Sequence, residues 1–183
     1  SCSEESKPCS IKKDVLNYLN KANKLKSFSS KRGLVREYTT KSLDIQKTDF
    51  AYFLRGKSFY DDKKFEKALD DFNSALRINK NFIDASLHRG LVFHSTDNYP
   101  KAIKEFQRVN KESLLLKKQK NIDALFNLAN SYMAINQIDN AREAIKDGLK
   151  IKSNNLFSSK LYSKKSYIEL VANEKSFDEI KKY

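Results

Sequence analysis

From residue 49 onward, apolar residues return every three or four positions, a spacing that lines one face of a helix. Ala68 and Phe72, Ala102 and Phe106, and Ala141 and Ile145 are four apart, so each pair shares a helical face. The small residues Gly56, Gly90 and Ala129 lie on an earlier helix in each case and let two helix backbones cross closely. Between the helices stand Asp61-Asp62-Lys63-Lys64, Asp97-Asn98 and Asn136-Gln137, all compatible with turns. Thr48 before Asp49 suits a helix N-cap. The pattern predicts an all-α chain built from helix–turn–helix pairs.

The pairs repeat. Thirty-four residues separate Gly56 from Gly90, and the same interval links Phe59 to Phe93, Phe65 to Tyr99, Ala68 to Ala102 and Phe72 to Phe106. A fixed period of this size marks a stacked array, because one helical pair cannot bury its own apolar face. A third unit places Ala129, Tyr132, Ile138, Ala141 and Ile145 at the matching positions, 39 residues on from Gly90. Five extra residues therefore belong to the second unit, within Lys111–Asn121.

These residues resemble the tetratricopeptide repeat (TPR) family over residues 49–154. Tyr52, Gly56, Phe59, Ala68, Phe72 and Ala75 fit the family pattern in unit one, Gly90, Phe93, Ala102 and Phe106 in unit two, and Leu128, Tyr132 and Ala141 in unit three. Arg55 and Arg89 stand where the family has Leu, and Val109 and Gly148 replace the later Ala. The resemblance implies a TPR-type solenoid of about three repeats with extra helices at both ends. The units are 49–82, 83–121 with its insert, and 122–154.

Outside the repeats, residues 1–9 read as a disordered polar tether and 10–48 as a helical extension. Ser10 is a candidate N-cap for a helix whose stripe is Ile11, Val15, Leu19, Ala22 and Leu25. Phe28, Leu34, Val35, Tyr38, Leu43 and Ile45 suit a short helix or a wrapping linker. The extension either caps unit one or lies in the binding groove. Residues 155–183 are expected to cap the other end or to form a partial fourth unit, with Tyr167, Ile168, Val171, Phe177 and Ile180 at core spacing.

In the TPR family the first helix of each unit lines a concave groove that holds a partner protein. By that analogy the groove residues are Phe53, Lys57 and Tyr60 in unit one, Leu87, Leu91 and His94 in unit two, and Phe126, Asn130 and Met133 in unit three. The surface is apolar with polar groups between, which suits a helical or extended segment. The family's clamp for chaperone C-termini is not reproduced: Phe53, His88, Asp123 and Asn127 stand where it needs Lys, Asn, Lys and Arg.

Composition adds one alternative. The chain carries 36 Lys and Arg against 23 Asp and Glu, a net charge of +13. The excess sits in residues 1–48 (+6) and 83–121 (+4). Lys outnumbers Arg, which fits an AT-rich genome and speaks against sequence-specific DNA reading. A cationic surface binder of nucleic acid or anionic lipid, using the N-terminal region and Lys117–Lys120, is the second functional reading. No run of about 18 apolar residues offers a membrane span.

Both cysteines, Cys2 and Cys9, lie in the first ten residues. Ser1-Cys2 ahead of a Ser/Glu/Lys stretch resembles the start of a mature bacterial lipoprotein, spirochaetal in composition. That resemblance implies a lipid on Cys2 and a place in the cell envelope. A Cys2–Cys9 disulfide, or idle thiols in a cytoplasmic protein, are the other readings. No CxxC completes a metal site, and His88 and His94 are six apart, off a common face. No catalytic constellation is legible and no cofactor is implied. The sequence therefore predicts a noncatalytic protein–protein interaction scaffold.

Overall fold

The computed structural model describes residues 11–151 and 155–180, with the side chains of 155–158 and 174–180 excepted. The tether, with Cys2 and Cys9, and the proposed cap Ser10 lie outside the described residues, as do the side chains of Phe177 and Ile180. The helices are α1 (Lys13–Leu25), α2 (Arg32–Ile45), α3 (Asp49–Asp61), α4 (Phe65–Ile78), α5 (Ile83–Ser95), α6 (Tyr99–Lys117), α7 (Ile122–Ala134), α8 (Ile138–Leu149) and α9 (Asn155–Ile180). A 3₁₀ turn at Ser29–Lys31 precedes α2, and no strand occurs among the described residues. The chain divides into two compact bodies, up to Ala85 and from Ser86 onward, with the boundary inside α5.

In the first body α3 and α4 form a tight hairpin. Phe72 is fully buried, and its ring is the reason for Gly56: a Cβ there would lie 2.9 Å from Phe72 Cε1. Phe53 packs on Phe72 and Phe82, with ring centroids 6.2 and 5.0 Å away. Thr48 caps α3 by accepting a hydrogen bond from Ala51 N at 3.2 Å. The region 28–47 contains a full helix, α2, rather than a wrapping linker, and it packs on both α1 and α3. Arg32 and Arg36 reach Asp62 at 3.0 and 2.6 Å and tie α2 to the end of α3.

The stripe of α1 is partly buried. Val15, Leu19 and Ala22 are in the core, whereas Ile11 is exposed. Helix α1 begins behind Lys12, which makes no side-chain cap, so Ser10 is too early to cap it. Phe28, Leu34 and Ile45 are exposed, while Val35 and Leu43 are buried. Within α2, Leu34 and Ile45 face away from the neighbouring helices.

The second body repeats the design. Phe106 is fully buried, and a Cβ on Gly90 would come 2.7 Å from its Cε1. Helix α6 has 19 residues against 14 in α4, so the five extra residues lengthen this helix. Helix α7 packs on α6 and α8, and α9 packs on α8. Leu161 and Ile168 of α9 are buried, and Leu161 lies against Gly148, where a Cβ would be 3.2 Å from Leu161 Cδ2. The small residue at 148 thus makes room for α9. Tyr167 is 52 % exposed, contrary to its expected core place, because Ile168 beside it takes the inward face. Helix α9 continues unbroken to Ile180.

The three turns inside the repeats share one geometry. Lys63, Asp97 and Asn136 have φ of 57°, 57° and 64°, the left-handed region. The next residue donates back to the carbonyl five positions earlier: Lys64 to Phe59, Asn98 to Phe93, and Gln137 to Tyr132, at 2.8–2.9 Å. This closes each first helix in the Schellman manner. Asn and Asp adopt that backbone at less cost than Lys. Lys63 is exposed, so Lys63→Gly should stabilise the protein by about 1 kcal/mol, read as a higher urea midpoint. An unchanged midpoint would mean that the turn relaxes around Lys63 at no cost.

Candidate protein-binding surface

The departures of Arg55 and Arg89 from the family pattern have a structural reason. Arg55 Nε and Nη2 donate to the two Asp71 carboxylate oxygens at 2.9 and 2.8 Å. One repeat later, Arg89 Nη2 donates to Glu105 Oε1 at 2.7 Å. Each Arg thus crosses from the first helix of its unit to the second. Burial pushes the Asp71 carboxyl up, and Arg55 pulls it back only in part. Unit three carries Leu128 and Ala144 at these positions, an apolar pair in place of the charged one.

Of the expected groove residues, three lie in the first body and six in the second. Phe53 and Leu87 each keep only 8 % exposure, so they support the surface from beneath rather than present it. Lys57 is held by Asp61 at 2.9 Å, and Tyr60 tilts onto Phe65 with centroids 5.8 Å apart. Leu91, His94, Phe126, Asn130 and Met133 are half-buried.

His94 links α5 to α7. Its Nδ1 lies 2.9 Å from Ser131 Oγ, which itself donates to Asn127 O at 2.9 Å. The single hydroxyl proton is used on Asn127, so Nδ1 must be the donor and Nε2 the acceptor. Burial lowers the His94 pKa, although Asp97 opposes this. Tyr99 packs edge-on at 5.4 Å. The imidazole therefore acts as a fixed strut.

Sequence reasoning missed one contributor to this face. Lys164 of α9 sits with Nζ 5.6 Å from the Phe126 ring and 5.4 Å from the Tyr167 ring. Nothing in the periodicity of α9 relates it to a position on α7, so only folding reveals the contact. Among the described residues, no group of three His, Cys, Asp or Glu side chains is placed to hold a metal.

Helical hairpins with close glycine crossings, repeated along the chain, define an α-helical repeat fold. Two models of the tetratricopeptide repeat match the chain, at residues 49–82 and 122–155. Those two segments are tetratricopeptide repeats. No curated protein matches it in sequence. Among solved structures, it is similar to MamA residues 41–end from Desulfovibrio magneticus RS-1, with a TM-score of 0.73, 13% identity, and coverage of 94% of each chain. It is similar to the first TPR of Spaghetti (RPAP3) bound to the HSP90 peptide SRMEEVD, with a TM-score of 0.62, 21% identity, and coverage of 70% of this chain and 99% of that one. The first TPR domain of human RPAP3 gives a TM-score of 0.61 at 23% identity, covering 69% and 95%. At these identities the likeness is one of fold.

Proposed function

We propose that this protein is a noncatalytic adaptor that holds a segment of a partner protein, and that a lipid on Cys2 tethers it in a bacterial cell envelope. The observation that carries the binding reading is the face made by α5 and α7 in the second body. It offers half-buried Leu91, Phe126 and Met133 with Asn130 and the fixed imidazole of His94. Partly exposed apolar groups around a rigid polar strut suit a partner's apolar side chains and set their register.

The test is a crosslinking pull-down from detergent-solubilised cells, using wild type beside Leu91→Lys with Phe126→Lys. Partner recovery should vanish with the circular dichroism spectrum unchanged. Recovery by the folded double variant would show that another surface binds.

The tether rests on Ser1-Cys2 and the polar stretch after it. Among the described residues no helix is long and apolar enough to cross a membrane, so the reading places the attachment in the lipid. Cys2→Ser should move the protein from the detergent phase to the aqueous phase in a detergent partition. Wild type found in the aqueous phase would remove the lipid from the proposal.

A further inference from the structure

Two departures from the repeat meet at one place in the second body. Leu128 and Ala144 replace the long Arg–acid pair that fills the same positions in units one and two. The five-residue lengthening of α6 carries Lys111 and Leu114 alongside them. The result is an open cleft of ≈ 480 Å³ between α6, α7 and α8. Leu125, Leu128 and Ala144 floor it, and Leu114 and Tyr132 wall it. It lies on a different side of α7 from Phe126, Asn130 and Met133, roughly a third of a turn around the helix.

Lys111, Lys120, Glu143 and Asp147 line the cleft, and both carboxylates are already matched by lysines. Asp147 is matched by Lys120 at 2.5 Å and Lys150 at 2.9 Å, whose hydrogen bonds hold its carboxyl below the usual range. Glu143 has Lys146 at 3.6 Å. Lys111 lines the cleft, is exposed, and makes no hydrogen bond or ion pair among the described residues. Lys104, seven residues earlier, falls on the same stripe of α6, and Lys118 follows at its end; both are equally free. Beside them Leu114, Leu115 and Leu116 are 49 %, 72 % and 61 % exposed. Three leucines left in water at one helix end mark an interaction surface.

We propose that this cleft docks an acidic amphipathic helix of a partner protein. The helix would lay its apolar side on Leu125, Leu128 and Ala144 and its carboxylates along Lys104, Lys111 and Lys118. A small anionic amphiphile could fill the cleft but would not reach along Lys104, Lys111 and Lys118, which span about four helical turns. A second copy of this chain is disfavoured by its own net charge of +13. A flat bilayer cannot reach a recessed floor.

The test uses the full chain and a fluorescent synthetic helix with leucines on one face and glutamates on the other. A control peptide carries lysines in place of the glutamates. The acidic peptide should bind about tenfold or more tighter than the control, by anisotropy. Leu128→Arg with Ala144→Glu rebuilds the ion pair of units one and two, fills the cleft, and should weaken binding by about tenfold or more. Should that variant melt early, Lys111→Glu at the surface reads the same site and should erase the preference for the acidic peptide. Leu91→Lys with Phe126→Lys should bind the peptide as wild type does. Equal binding by wild type and a folded cleft-filled variant, or loss on the Leu91/Phe126 variant alone, would overturn the proposal. So would capture by phosphatidylglycerol vesicles without any binding of the peptide.

Discussion

Phe106→Ala is expected to lower the stability of the protein by about 3–5 kcal/mol, read as a lower urea midpoint at unchanged slope. The ring is fully buried and fills the crossing of α5 and α6, where Gly90 leaves space for it. Removing it opens a cavity that two rigid helices cannot close. A companion experiment tests the same contact from the other side. Gly90→Ala gains helix propensity of about 1 kcal/mol, but its Cβ would meet Phe106 Cε1 at 2.7 Å. Overpacking should win, at about 1–3 kcal/mol of destabilisation. In a Phe106→Leu background the same alanine should cost less, because the clashing atoms are gone. Additive costs would mean that the two residues do not set each other's size.

The second large effect is expected at the buried ion pair. Asp71→Ala should destabilise by about 2–3 kcal/mol, because Arg55 is left without its carboxylate. The loss stays below that of a fully buried pair, since the Arg55 side chain keeps 23 % exposure and can reach water. Replacing both partners with the residues of unit three, Arg55→Leu with Asp71→Ala, should return stability to within about 1 kcal/mol of wild type. The reason is that taking both charges out of water costs about as much as their attraction returns. The charged pair then contributes little beyond what an apolar pair would. A double variant as unstable as the single one would show the ion pair to be a net stabiliser. The readout for all three proteins is the urea midpoint, with circular dichroism confirming the helices.

The Leu91/Phe126 and Leu128/Ala144 variants separate the two surfaces. The face of α5 and α7 depends on Leu91, Phe126 and the His94–Ser131 hydrogen bond. The cleft depends on Leu128, Ala144 and the length of α6. A scaffold with two such sites could hold two segments at once, and partner capture by each single-site variant would reveal it.

Sequence alone determined the helical pairs and their crossings. Gly56 and Gly90 as close crossings could be read from spacing, whereas the rings of Phe72 and Phe106 that face them are seen only in the structure. Thr48 as a cap was legible because its partner, the Ala51 amide, is three residues away. The place of the extra five residues was readable too, since a period of 34 becoming 39 marks an insertion. What could not be read were the contacts that only packing sets. The left-handed turn at Lys63 is hidden, because lysine is a poor signal for that backbone. The outward turn of Tyr167 depends on which neighbour on α9 meets α8. The burial of Phe53 and Leu87 beneath the expected groove depends on contacts outside the helical period. Arg55 and Arg89 looked like departures until Asp71 and Glu105 were seen facing them from the second helix. The cleft at Leu128 and Ala144 is likewise tertiary, for it is made where two short side chains on separate helices fail to fill the space that an arginine and an acid fill elsewhere. Periodicity reports which face of a helix is apolar, and packing alone decides which of those apolar positions are covered.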